Sequence, residues 1–414
     1  MTINLFNRRL PPSRKYEEED CMKKLILISV VFALVAGIAF AVDLGGTVIG
    51  SVDVLRGGDF KNADGDDTIV GGAFWKRIRL EGSGETGDGK FGGWIRIGPI
   101  CDGEFVPGGA GSVWWKPIDQ FKLAIGGNPD GIWGKEGVTG WMFGQTAYDS
   151  GVTLSQKNVW SGTGLYDQGL KSRNAFFRGF GDPGLLLEIN PIDMIGINIA
   201  LPFFKGGWFL EDQDPVELKD IFGGLVAQLD VKLDFGNIAI TYEGEASYIQ
   251  NGNVGWAGAD GGTIFGYFGG SFGDLSLDVG IGFELPNENE DLKNPFAVGL
   301  GLKYTAGAFG VKLRAVASFP TEKPDGSEAQ PFKVLADVLP YFVINDTTRA
   351  FLDVGLGIAA YKDIDAVVGW HLNPWLEVGE EWGAKFVVGF QLWSAGGEDA
   401  VTNWAVPLGI IVSF

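Results

Sequence analysis

The chain has 414 residues, one histidine, two cysteines and a formal net charge of −20. That acidity excludes a nucleic-acid binder, because displacing counterions from phosphates takes clustered lysine and arginine. A single histidine with two cysteines also excludes a zinc site of the Cys/His kind, and no metal site or cofactor is expected.

Met1 to Cys21 is polar and carries the run Glu17-Glu18-Glu19-Asp20. It reads as an upstream extension, 1–21, with translation beginning at Met22. From there Lys23 and Lys24 precede an apolar run, Leu25 to Ile38, and Ala39-Phe40-Ala41 supplies a small-x-small site before Val42. A basic start, an apolar middle and small residues, in that order, predict a helical signal peptide over 22–41, cleaved between Ala41 and Val42. The run is short for a transmembrane helix, which takes about 20 apolar residues. The exported part, 42–414, holds 26 basic and 48 acidic residues and one cysteine, Cys101, so no intrachain disulfide is expected.

No other long apolar run follows. A membrane protein without apolar helices must close a sheet on itself, since only helices and closed sheets satisfy every backbone polar group in lipid. In the N-terminal half the candidate strands are 42–55, 73–82, 90–98, 112–117 and 120–126. Between the first two, Asp59, Asn62, Asp64, Asp66 and Asp67 crowd one loop with Gly65. Their spacing lacks the closing glutamate of a calcium loop, and the segment reads as solvated. Gly82-Ser-Gly-Glu-Thr-Gly87 has the letters of a dinucleotide fingerprint, but that motif works only at the start of a helix. Here Phe91 to Ile97 follows with the pattern of a strand, so a hairpin turn is predicted. From Gly127 to Pro183 alternation fades among Gly, Trp, Asp and Asn. Long loops are usually functional; this one reads either as a constriction folded into a lumen or as an external loop.

The C-terminal half alternates plainly. Leu275, Leu277, Val279, Ile281, Phe283 and Leu285 oppose Ser276, Asp278, Gly280, Gly282 and Glu284. Side chains of a strand point to opposite faces in turn, so this is a strand with one apolar face. The same grammar recurs at 195–201, 225–235, 296–304 and 311–319. Such strands run about 9–12 residues, the length a tilted strand needs to cross a bilayer and longer than the usual 5–6 of soluble sheets. Phe309 and Phe319 share a face and lie on the order of 25 Å apart along a membrane normal, as do the aromatic girdles of outer-membrane barrels. Short connections (190–193, 235–237, 272–274, 305–308, 344–347) alternate with long ones (202–222, 250–262, 285–295, 320–331), which places both termini on the periplasmic side. The expected fold is all-β: a closed antiparallel transmembrane β-barrel of about 16–18 strands, preceded by the cleaved signal-peptide helix.

The opposite parity carries the charges. Arg77, Arg79, Arg96, Lys122, Lys232, Lys303, Lys312 and Arg314 face Asp230, Asp234, Glu243, Asp278, Asp337 and Asp353, with Glu81, Glu188 and Glu284. These are the candidate pore-lining residues, either tuning a hydrated lumen or bracing its wall. His371, in Trp370-His-Leu-Asn-Pro374, reads as a polar wall residue; a Ser-His hydrolase would have to use it, and no enzyme is expected.

The chain ends in Trp404 to Phe414, with Leu408, Ile410, Val412 and Phe414 on one face. This segment resembles the C-terminal signal of outer-membrane porins, and segments such as 113–119 and 187–193 are similar to spirochaete outer-membrane proteins. The resemblance implies a location in the outer membrane, lipid as surroundings, recognition of the last strand by the barrel-assembly machinery, and the homotrimer common among porins. It implies a passive channel for small polar solutes. A substrate-specific uptake barrel, with Trp133, Trp141 and Trp160 as a platform, and a surface adhesin are the alternatives. No long inward arginine ladder is found, which leaves ion selectivity open.

Overall fold

The protein is described here by a computed structural model covering residues 41–58, 68–70, 74–101, 109–126, 184–202, 225–244, 263–285, 296–319, 332–361, 364–380, 383–394 and 401–414. The upstream extension, the signal peptide up to residue 40, the acidic loop 59–67 and the segment 127–183 with its tryptophans lie outside the described residues. Among the described residues every element is a strand: β1 (Ala41–Gly57), β2 (Thr68–Val70), β3 (Phe74–Glu85), β4 (Phe91–Cys101), β5 (Gly109–Ile118), β6 (Phe121–Gly126), β7 (Gly184–Ile192), β8 (Ile195–Pro202), β9 (Val226–Leu233), β10 (Gly236–Glu243), β11 (Thr263–Phe272), β12 (Leu275–Glu284), β13 (Phe296–Ala306), β14 (Phe309–Phe319), β15 (Phe332–Asn345), β16 (Thr348–Tyr361), β17 (Ile364–Gly379), β18 (Ala384–Gly389), β19 (Gln391–Ser394) and β20 (Thr402–Ser413).

These twenty strands form one antiparallel sheet. From β3 to β17 each strand pairs with the next in sequence. β18 and β19 lie end to end between β17 and β20, and β2 and β3 lie end to end along β1. β20 then pairs with β1, so the twenty strands fill eighteen positions around a closed ring. The last residue completes this seam: Gly46 donates to the Phe414 carbonyl at 2.7 Å and Phe414 donates back to Gly46 at 3.0 Å. A free edge would be a template for another chain; closure removes it.

Tight turns such as 119–120, 193–194, 234–235, 273–274, 307–308 and 346–347 share one end of the ring with the start of β1 and the end of β20. Gly273 (φ 63°) and Gly307 (φ 56°) open two of them in the left-handed region, where two-residue hairpins need a residue without a Cβ penalty. The expected rhythm breaks once at the opposite end. Only residues 362–363 join β16 to β17, because these long strands continue their pairing to Tyr361↔Ile364. The fingerprint-like glycines fall in β3 and the turn after it, a hairpin as expected. In that turn Thr86 Oγ1 donates to Asp88 Oδ1 at 2.6 Å. This bond, helped by the Lys90 amide, holds the Asp88 carboxyl below the ordinary carboxylate range.

Closure leaves each side chain two choices, outward or inward. The apolar row is exposed: Val279, Ile281, Phe283, Leu300, Leu352, Val354 and Leu356 are each 37–45% accessible. The other row, which converges inside the ring, includes Asp53, Gln228, Thr241, Asp337, Asp353, His371 and Asn373 at no more than 2%. On the outside, Phe91, Trp115, Phe235, Phe272, Tyr304, Phe309, Phe342 and Phe414 are all exposed, and all lie near the turn end of their strands. Phe91 stacks on Trp115 (6.4 Å) and Phe235 meets Phe272 (5.9 Å), so aromatic rings encircle one rim.

The seam register makes a direct prediction. With Cys21 and Cys101 replaced by serine, the pair Ser51→Cys/Gly409→Cys stands directly opposite and should oxidise to an intrachain disulfide. The offset pair Ser51→Cys/Asn403→Cys should not, and mobility under non-reducing electrophoresis reads the difference.

Candidate functional site on the inner face

Across β6 to β10 the inner face is hydrogen-bonded side chain to side chain. Lys122 and Glu188, directly opposite in β6 and β7, form an ion pair at 2.9 Å, and the Lys122 ammonium lies 5.4 Å from the Trp114 ring centre. Asp230 accepts from Asn198 (3.0 Å) and Gln228 (2.6 Å), and Thr241 donates to Gln228 (2.9 Å). One step toward the opposite end, Ala124, Leu186, Ala200 and Val226 form a small apolar row beside Trp114, in register across four strands. The inner face is therefore polar with apolar patches, not uniformly wet.

The other expected inner residues distribute along the wall. Arg96 is buried and ion-paired to Glu81, with its guanidinium 5.7 Å from the Trp94 ring. Arg77 and Arg79 lie in β3 opposite Ile49 and Thr47; their side chains, like that of Glu243, lie outside the described residues. Asp278 accepts a short hydrogen bond from the Tyr267 hydroxyl. Lys303 and Lys312 stand directly opposite each other, and Arg314 opposite Asp337. Lys232 sits exposed near the turn end of β9. Asp234 departs from expectation: it occupies the exposed turn 234–235, because the β9–β10 ladder closes at the Leu233↔Gly236 pair. Leu408, Ile410 and Val412 lie on the outer row of β20 and Phe414 just past its end, the last three exposed.

Sequence reading did not foresee the closest gathering of chemistry-bearing groups among the described residues. Asp337, Asp353 and His371 each present one ligand-type atom, all within 4.8 Å of one another, and all three are at most 1% accessible. The register explains the meeting. Asp337 of β15 lies opposite Gly355 of β16, which lies opposite His371 of β17. A Cβ on Gly355 would fall 2.2 Å from the His371 ring, so the imidazole lies across the glycine toward Asp337. Asn373, also fully buried, stands opposite Asp353. One step toward the turns, Tyr341, Phe351 and Trp375 stack across three strands at 5.9 and 4.8 Å.

No family model matches the chain, and no curated protein does. Solved structures similar to it are porins and an outer membrane protein. The anion-selective porin from Comamonas acidovorans is 15% identical, with 91% of this chain and 100% of that one covered and a TM-score of 0.47. A loop-deletion variant of OmpT, an outer membrane protein of Vibrio cholerae, is 10% identical at the same coverage, with a TM-score of 0.45. A variant of the Rhodopseudomonas blastica porin is 13% identical over 90% of this chain and 100% of that one, TM-score 0.43.

The glycine at the centre of the buried group is testable. Gly355→Val should lower stability by about 1–3 kcal/mol through overpacking against the His371 ring. Gly50→Ala, where the added atom meets open space, should change it by less than about 0.5 kcal/mol. Urea unfolding of the protein in vesicles compares the two.

Proposed function

We propose that the chain is a channel of the bacterial outer membrane, a porin through which small polar solutes diffuse passively. The observation that carries this reading is the facing of the closed ring: apolar and aromatic outside, charged and hydrogen-bonded inside. Strands such as β12, β13 and β14, of 10, 11 and 11 residues, rise about 25 Å when tilted as in membrane barrels. That matches the apolar band such barrels present to lipid, and the aromatic rim matches a girdle at the interface. Rings of about 16–18 strands are wide enough to leave an aqueous passage. The inner charges then tune which ions pass; with acids and bases both on the wall, the reading is weak selectivity. Lipid, small polar solutes and the barrel-assembly machinery are the partners of this reading, the outer row of Leu408, Ile410, Val412 and Phe414 is its assembly signal, and a homotrimer its quaternary form.

Purified protein added to a planar bilayer should give stepwise single-channel currents, and a silent protein that is folded and inserted would remove the proposal. Lys303→Glu with Lys312→Glu should move the reversal potential in a salt gradient toward cation preference. Leu300→Arg, at an exposed position mid-strand in β13, should cost about 2–4 kcal/mol of stability in vesicles if it faces the bilayer centre.

A further inference from the structure

The buried group on β15, β16 and β17 has no part in conduction as proposed above, yet it is the densest collection of ligand-type atoms among the described residues. Its spacing is informative. His371 Nε2 stands 3.3 Å from Asp353 Oδ2 and 3.6 Å from Asp337 Oδ1, longer than the ~2.7–2.9 Å of a charge-assisted hydrogen bond. A tetrahedral ion with bonds of about 2.0–2.1 Å to nitrogen and oxygen separates its ligands by roughly 3.3–3.4 Å. The two distances to the imidazole are thus close to those between neighbouring ligands of one ion, and the three ligand atoms all lie within 4.8 Å of one another.

A second observation points to the same place. Asn373 is fully buried, directly opposite Asp353, and neither its amide oxygen nor its amide nitrogen has a hydrogen-bond partner; both oxygens of Asp337 also lack one. A buried polar atom left unbonded costs about 1–3 kcal/mol, and an ion would use the oxygens among them. Two carboxylates also balance the charge of a divalent cation removed from water. Imidazole with carboxylate and amide oxygens is the donor set of zinc and other first-row divalent ions, whereas calcium and magnesium take oxygen alone.

We propose that Asp337, Asp353 and His371, with the Asn373 amide oxygen as a fourth donor, bind one first-row divalent transition ion on the inner wall of the ring. Such an ion ties three adjacent strands together at side-chain level, and its binding does not depend on whether the ring conducts. The site was hidden from sequence because each strand contributes one or two donors and only the register assembles them.

The test uses the full chain without a histidine tag, folded in detergent, and Zn2+ or Mn2+ alone as probe. Calorimetric titration should show one ion per chain. His371→Ala and the isosteric Asp353→Asn should each weaken binding by at least about tenfold, with far-UV circular dichroism unchanged. Because His371 is the only histidine in the chain, zinc-edge X-ray absorption of the unsubstituted protein should show a single imidazole among oxygen ligands. Absence of stoichiometric binding by either ion, affinity unchanged in folded variants, or a zinc spectrum without imidazole would each overturn the proposal. Loss of conductance with intact ion binding would touch only the channel reading.

Discussion

Everything in this structure depends on pairing the first strand with the last. A sheet of this length with open edges would expose a row of unpaired amides and carbonyls along β1 and another along β20. The register from Thr47↔Ser413 to Gly57↔Trp404 removes both. It absorbs one irregularity, between Asp53 and Leu55, where the strand slips by a residue to keep its faces aligned. The split of two ring positions into β2 with β3 and β18 with β19 is tolerated for the same reason. Each fragment still finds a partner on both sides or on the strand that carries it, so the ladder stays continuous around the interruption.

Once the ring is closed, inside and outside become chemically distinct problems. Outward side chains spread apart on a convex surface and remain exposed, and the sequence fills those positions with Val, Ile, Leu and Phe. Inward side chains converge, and any polar group there must find a partner or face water. Across β6 to β10 the partners are other side chains: Lys122 with Glu188, Asn198 and Gln228 with Asp230, Thr241 with Gln228. Glycine on the inner row provides room for rings from the neighbouring strand. The His371 imidazole over Gly355 and the Tyr341 ring over Gly310 are two cases. The glycine of this face thus lets large side chains lie flat against the wall as well as keeping the interior open.

Legibility in the sequence followed the contrast between the two rows. Where one row is apolar and the other polar or glycine, as in β12, β13 and β14, period-two reading found the strand to within a few residues. In β11 the contrast fails, since Phe265 and Tyr267 point inward while Ile264 and Phe268 lie on the other row, and both parities look apolar. In β17 the faces alternate, and only Trp375 interrupts the polar inner row of His371, Asn373 and Glu377. Asp234 carries the parity of an inner residue but sits in the turn, because parity says nothing about where pairing stops.

By itself the sequence determined the alternation of faces, the approximate positions of the tight turns and the parity that turns residues such as Arg96, Lys122, Asp230, Asp337 and Asp353 inward. These are local properties, set by the two-residue period of a strand and by turn chemistry within a few residues. Tertiary structure alone decided which strands are neighbours, how many positions close the ring, and that His371 meets two aspartates from separate strands. Those depend on register between segments tens or hundreds of residues apart. A shift of two residues in one strand would preserve every sequence pattern and still take the imidazole away from both carboxylates.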